Sequence, residues 1–250
     1  MHELTTHFVG RLRSRDPDAW FELWETFGPI LRAQLARWGR GRIGQETVQD
    51  LSQETLTALA GAIDRHDPSK GAKFSTWLLA IAKYTLSDEM DRRNALKRGA
   101  GKRPLSLSGG TEDDPDMDVE GGPRPDVDYE AAVFEAKVDA ALRQVERAAG
   151  FADFEVYRQR VLEGRSGREV GEALGTSEAT ISRKAARVRD LLREALTQVF
   201  GRYAFTDEDW DELTRNGLET SPKKAQDAAF DEAVGEVWMR AVRRRRQASG

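Results

Sequence analysis

Hydroxyl and cationic side chains cluster between residues 165 and 189, in a segment that has the pattern of two short helices joined at a glycine. Ser166 followed by Glu169 has the spacing of a capping box, in which each side chain accepts a hydrogen bond from a backbone N–H at the start of the helix. Gly175 can adopt the left-handed conformation that ends a helix, and Ser177 can cap the next one. The segment is therefore predicted to be a helical hairpin.

The second helix of this hairpin carries side chains that suit a DNA major groove. Ile181 faces inward, while the outward positions are polar or cationic: Thr180, Ser182, Arg183, Lys184 and Arg187. Arg and Lys can bind guanine edges and phosphates, so these residues indicate a helix that reads duplex DNA. An ordinary helical hairpin with a solvated charged face is the alternative interpretation.

The charge of the chain is concentrated in one segment. The formal net charge is −4, yet residues 105–135 hold ten Asp or Glu against one Lys or Arg. This segment is rich in Gly and Pro and lacks helical periodicity, which favours a flexible acidic linker. The predicted fold is all-α, with one helical domain at residues 1–104, a second at residues 136–200 that contains the hairpin, and a helical extension at residues 201–250.

Composition argues against several function classes. The chain has no cysteine and only three histidines, which are scattered, and it contains no P-loop, so no enzyme, metal site or cofactor is predicted. No apolar run is long enough for a membrane span, and the N-terminus lacks the apolar core of a signal peptide. A cytoplasmic protein without membrane contact is expected.

Three helix patterns follow one another in the N-terminal domain. Trp20, Leu23 and Phe27 begin the first apolar stripe, Val48 and Leu51 begin the second, and the third helix starts near residue 75. A loop at residues 66–73 separates the second helix from the third. The third helix ends in cations, which suit both a helix C-terminus and a phosphate backbone.

Taken together, these parts resemble the RNA polymerase sigma factors of the extracytoplasmic-function group, within the sigma-70 family. The resemblance rests on VQDLSQETLTALAGAID at residues 48–64, on DPSKGAKFSTWLLAIAKYTLSDEMDRR at residues 67–93, and on VLEGRSGREVGEALGTSEATISRKAARVRDLLREAL at residues 161–196. It implies two helical domains on a flexible linker, with core RNA polymerase and promoter DNA as partners. An anti-sigma factor or another regulator is a further possible partner.

The resemblance also implies roles for individual residues. The helix at residues 48–64 would dock on the polymerase through Asp50, Gln53 and Glu54, although a solvated polar face is the alternative. The loop at residues 66–73 and the helix after it would open the minus-10 element and hold an extruded base. The candidates for that task are Lys73, Thr76, Trp77, Lys83, Tyr84, Arg92 and Arg93. Trp77 fits a helix core at least as well as a stacking platform.

The hairpin would read the minus-35 element. The candidate residues are Ser177, Thr180, Ser182, Arg183, Lys184 and Arg187. Gly171 stands where related hairpins usually have Ala, at a close approach between the two helices. A further hypothesis is that the acidic linker mimics DNA and lies in a basic channel of the polymerase.

Two questions stay open at this stage. The apolar faces of residues 201–250 need a partner, which is either the rest of this chain or a surface that the extension regulates, and Arg243–Arg246 can contact phosphate or be a solvated end. The function is either that of a transcription initiation factor or that of a free-standing helix-turn-helix regulator. The N-terminal domain favours the first, because a simple repressor needs no docking or melting helices.

Overall fold

The computed structural model describes residues 2–65, 73–97, 126–221 and 226–248. These ranges are built from helices and contain no β-strand, which confirms the predicted all-α fold. The predicted loop at residues 66–72 and linker residues 105–125 lie outside the described residues. Among the helices described, none combines the length and the apolar character that crossing a membrane requires.

The helices form three consecutive groups along the chain. The N-terminal half comprises α1 (His2–Arg13), α2 (Pro17–Trp38), α3 (Gln45–Ala62), a 3₁₀ turn (Ile63–Arg65) and α4 (Phe74–Lys97). The hairpin half comprises α5 (Val127–Ala148), α6 (Phe151–Tyr157), a π-helical turn (Arg158–Leu162), α7 (Gly167–Leu174) and α8 (Glu178–Tyr203). The C-terminal extension comprises α9 (Asp207–Arg215) and α10 (Asp227–Ala248).

Two of the predicted boundaries differ from the structure. Helix α5 begins at Val127, so residues 127–135 of the predicted linker are helical, and the Asp126 carboxylate caps the helix by accepting a hydrogen bond from Tyr129 N at 2.8 Å. Val133 and Phe134 lie on its buried face. The acidic composition of the segment concealed this apolar stripe. Helix α8 runs to Tyr203 and so crosses the predicted boundary at residue 200.

The two halves share one continuous hydrophobic core. Helix α2 packs on α5, and α1 packs on α8. At the second of these contacts a Cβ added to Gly201 would lie 2.6 Å from Leu4 Cδ1, so glycine permits the close approach of the helices. The described parts of the two halves therefore lie against each other, whereas the sequence predicted two domains joined only by a tether.

The extension packs on the rest of the chain. Thr206 and Asp209 cap α9, with Thr206 N donating to Asp209 Oδ2 at 3.0 Å. Helix α10 lies on α5 and on the π-helical turn, and it buries Phe230, Val234 and Val237. Of the two interpretations of these apolar faces, the structure agrees with packing against the protein's own helices.

A buried lysine joins α5 to α9. The side chain of Lys137 is 2% exposed, and its Nζ lies 3.7 Å from an oxygen of Asp209 and 3.7 Å from an oxygen of Glu212. Burial raises the pKa of Glu212, and the charge of Lys137 opposes that shift. Removing the cation would leave a buried carboxylate without its counter-charge, which is costly in a protein interior.

We expect Lys137→Met to lower the free energy of unfolding by about 3–5 kcal/mol at pH 7, the usual cost of breaking a buried ion pair. The loss should shrink as pH falls toward 5, because burial raises the pKa of Glu212 and its protonation removes unpaired charge. Chemical denaturation at several pH values measures this. The double variant Lys137→Met/Asp209→Asn should recover part of the loss, and a pH-independent loss with no recovery would contradict the account.

Candidate nucleic-acid interface

The α7–α8 hairpin has the local geometry that its sequence predicted. Ser166 N donates to Glu169 Oε2 at 2.8 Å and Glu169 N donates to Ser166 Oγ at 3.2 Å, which forms the capping box. The Ser166 hydroxyl, and then the Ser166 backbone N–H, lower the pKa of Glu169 by hydrogen bonding to its carboxylate. Gly175 has φ +63°, and Ser177 Oγ accepts a hydrogen bond from Thr180 N at 3.2 Å. The hairpin thus fixes where α8 begins.

Gly171 lies at the closest point between α7 and the turn. A Cβ added there would lie 2.8 Å from the backbone oxygen of Thr176, a distance that real Cβ contacts essentially never show. The oxygen belongs to the backbone and cannot swing away. Glycine at this position is therefore required by the turn, and the Ala that is usual in related hairpins would not fit without a shift.

Gly171→Ala should destabilise the fold by about 1–3 kcal/mol through this overlap. The matched control is Gly61→Ala on the exposed side of α3, where an added Cβ meets nothing within 4 Å. That control should stabilise the protein by up to about 1 kcal/mol, the ordinary helix preference for alanine. Thermal or urea unfolding of both variants makes the comparison, and a stabilising Gly171→Ala would show that the turn can relax.

The outward face of α8 is partly free and partly paired. Ser182 and Arg183 are exposed, and the Arg183 guanidinium lies beside Thr180, with Nη2 3.3 Å from Thr180 Oγ1. Lys184 and Arg187 instead approach one carboxylate on α6, that of Asp153, at 2.9 Å and 3.2 Å. Arg187 is 70% exposed and Lys184 is 25% exposed, so Arg187 is better placed for a phosphate.

Asp153 therefore neutralises two predicted DNA contacts. We expect Asp153→Asn to strengthen duplex binding several-fold and to steepen its salt dependence, because each further phosphate contact adds about 0.9 to the slope of log affinity against log salt. Titrations at several salt concentrations measure both quantities. Glu232→Gln, at an exposed position of α10 outside the Asp153 ion pairs, removes the same charge and serves as the control. Weaker binding of Asp153→Asn would mean that Asp153 positions the cations.

Helix α4 carries the predicted minus-10 residues, and they differ in exposure. Lys83 and Tyr84 are exposed, with the Lys83 ammonium 5.1 Å from the centre of the Trp38 ring, and Thr76 is half-buried. Trp77 is only 5% exposed, and its ring meets Phe74 edge-on at 5.9 Å. In this conformation Trp77 belongs to the core and cannot stack on a base, which was the alternative interpretation of its spacing.

The two arginines near the end of α4 are tied to buried Glu89. Arg92 Nε and Arg93 Nε donate to its carboxylate at 2.7 Å and 2.5 Å. Burial acts to raise the pKa of Glu89, but the hydrogen bonds from Arg93 and Arg92 hold it below the usual value. Arg93 also donates to the backbone oxygen of Arg42 at 2.9 Å and to Thr47 at 2.8 Å. Arg93 thus fixes α4 to the start of α3, while Arg92 is 72% exposed and open to solvent.

Lys73, just before α4, is held by acids from the other parts of the chain. Its Nζ lies 3.8 Å from Glu130 on α5 and 3.5 Å from Glu208 on α9. Sequence reasoning did not find Glu130, Glu208 or Asp153, because no local pattern links them to the cations that they contact. Only the packing of the helices brings them together.

The predicted polymerase-docking residues Asp50, Gln53 and Glu54 are all exposed on α3. The opposite side of α3 is buried against α4, where the Thr55 and Thr85 hydroxyls lie 3.0 Å apart and Thr55 also donates to Leu51 O at 2.7 Å. This contact sets the orientation of α3. An acidic, solvent-facing strip and a cationic end of α4 therefore lie on neighbouring helices.

Comparison with known families identifies this part of the chain. Residues 23–95, from within α2 to the end of α4, match the model of sigma-70 region 2. This segment is similar to sigma-70 region 2. The match indicates a sigma-70 family factor that takes part in promoter recognition and transcription initiation. No curated protein matches the chain. The candidate residues of α3 and α4 thus lie within region 2, whereas the hairpin lies outside the matched residues.

Proposed function

We propose that this protein is an extracytoplasmic-function sigma factor that binds core RNA polymerase, recognises minus-10 and minus-35 elements, and opens promoter DNA in the cytoplasm. The observation that supports the proposal is that one chain presents two separate surfaces with exposed cationic side chains, Lys83 and Arg92 on α4 and Arg183 and Arg187 on α8. Region 2 presents the exposed side chains of α3 and α4, and the α7–α8 hairpin presents Arg183 on an exposed helix. A free-standing regulator would use the hairpin alone and would have no need of region 2.

The roles divide between the two surfaces. Asp50, Gln53 and Glu54 on α3 would contact the polymerase, since they are exposed and their helix is held rigidly from its other side. Lys83, Tyr84 and Arg92 would contact the minus-10 strand, with Lys73 joining them when its acidic partners release it. Arg183 and Arg187, with Ser182 and Thr180, would read or hold the minus-35 duplex, and Ser177 would act by capping α8.

The test is transcription in vitro with purified core RNA polymerase and a library of genomic templates. We expect new start sites that depend on the added protein. If the Arg183 guanidinium hydrogen-bonds to a guanine, Arg183→Ala should weaken promoter binding by about 1–3 kcal/mol and so reduce transcription from these start sites. Polymerase binding should be retained. If Arg183→Ala instead reduces the salt dependence of DNA binding and leaves the sequence selectivity unchanged, Arg183 contacts a phosphate.

A second pair of variants tests the docking surface. Asp50→Ala/Glu54→Ala should reduce affinity for core polymerase without changing hairpin binding to duplex DNA. Glu232→Ala/Glu236→Ala, which removes two exposed acids from α10, is the charge-matched control and should bind polymerase as the parent does. Polymerase affinity can be measured by fluorescence anisotropy of the labelled protein. If both pairs bind equally, the α3 surface is not the docking site.

A further inference from the structure

A cavity of about 430 Å³ lies where α2, α5 and α10 meet. Its apolar wall is built from short or rigid side chains of all three helices: Pro29, Ile30, Ala33, Ala132, Ala136 and Ala241. Because most of these side chains end at Cβ, the helices pack without filling the space between them. Cavities that bind small molecules have volumes of about 300–1,000 Å³ and walls that are mainly apolar. The size and the wall of this cavity therefore suit a small organic ligand.

One buried polar side chain in the lining lacks a hydrogen-bond partner. Gln34 is only 6% exposed, yet its amide makes no hydrogen bond within the described part of the chain. By contrast, the Thr26 hydroxyl donates to Glu22 O at 2.8 Å, and the Tyr129 hydroxyl donates to Ser75 O at 2.8 Å. An unpaired buried amide is costly, because it has given up its contacts with water. The cavity that Gln34 lines is the space from which a partner can reach that amide.

A proline inside α2 provides a second polar group in the lining. Pro29 lies in the interior of α2 and has no backbone N–H, so the backbone oxygen of Glu25 loses the donor that a regular helix would give it. Both residues line the cavity. The cavity thus combines an amide that can donate and accept hydrogen bonds with a carbonyl oxygen that can accept one.

The charges around the cavity balance and are already paired. Four arginines and four carboxylates line it. Each of these arginines pairs with an acid: Arg37 with Asp126, Arg143 and Arg245 with Asp139, and Arg244 with Glu135. A charged ligand would have to break one of these pairs or enter without a counter-charge, and burying an unpaired charge is costly. The lining therefore favours an uncharged ligand.

We propose that this cavity binds an uncharged small molecule with an apolar body and one polar end, such as a carboxamide, that hydrogen-bonds to Gln34. The apolar body lies against Ile30 and the alanines, and an N–H of the polar end donates to Gln34 or to Glu25 O. Ala241 belongs to α10, so the C-terminal extension supplies part of the wall. The site shares no residue with the α3, α4 and α8 surfaces and lies beyond the proposed function.

Three naphthalene derivatives of similar size and different charge test the ligand class on the free, full-length protein. At pH 7 the compound 2-naphthamide is uncharged, 2-naphthoate is an anion and 2-naphthylmethylammonium is a cation. We expect 2-naphthamide to bind about tenfold more tightly than either charged compound, as measured by isothermal titration calorimetry. Binding should also shift the NMR signals of the Gln34 side-chain amide. Equal binding of the three compounds, or no binding of 2-naphthamide, would overturn the proposal.

Variants that fill the cavity locate the site. Ala132→Leu on α5 and Ala241→Leu on α10 enlarge two different walls, so each should weaken 2-naphthamide binding by about tenfold. Ala229→Leu, at an exposed position of α10 outside the lining, is the matched control and should bind 2-naphthamide as the parent does. Thermal unfolding shows whether each variant is folded. If both wall variants bind like the parent, the compound lies elsewhere and the cavity is not its site.

Gln34→Leu tests the hydrogen bond. The variant removes an unpaired buried amide and should be at least as stable as the parent in thermal unfolding. Its preference for 2-naphthamide over 2-methylnaphthalene should fall by about five- to tenfold relative to the parent, the usual effect of losing one hydrogen bond. A large loss of stability with an unchanged preference would mean that Gln34 supports the fold and does not bind a ligand.

Discussion

The rings of Tyr203 and Phe205 lie inside the core of the N-terminal half, and the arrangement of the other helices depends on that burial. Apolar burial is the main favourable term in folding, and aromatic side chains contribute most per residue. Tyr203 ends α8 and Phe205 lies two residues beyond it, so the burial of both rings accompanies the packing of α8 on α1 and of α5 on α2. The extension begins where the rings end, so α9 and α10 are positioned by the same contact.

Acids within the fold neutralise several of the cations that the sequence predicted to contact DNA. Asp153 pairs with cations on α8, Glu89 with those on α4, and Glu208 with Lys73. Each of these acids pairs with a cation that the sequence predicted to contact DNA. A protein with a net charge of −4 can therefore present cationic surfaces to DNA, provided that the DNA competes with these carboxylates or that a rearrangement removes them.

Local structure was largely predictable from the sequence, and the contacts between distant helices were not. The capping box at Ser166, the turn at Gly175 and the cap at Ser177 depend on residues within a few positions of one another, so spacing alone indicated them. The start of α5 was misplaced because its acids outnumber its apolar residues, although Val133 and Phe134 repeat on one face. The spacing of Trp77 left both a core position and a stacking role possible, and the structure buries it.

The pairing of Lys73 with Glu208 had no counterpart in any sequence pattern, since it depends on how α9 packs against α5. The same holds for the burial of Tyr203 and Phe205 against aromatic rings of the N-terminal half. The similarity of residues 23–95 to sigma-70 region 2 was recognisable from the helices, but the contact of Phe74 with Phe205 beyond α8 follows only from the packed structure.

The most direct measurement is the distribution of distances between spin labels at Phe21→Cys on α2 and Phe151→Cys on α6, both exposed positions, in the free protein. One narrow distribution is the result predicted here, because the two halves share a core. A broad distribution, as two domains joined only by a tether would give, would contradict the account.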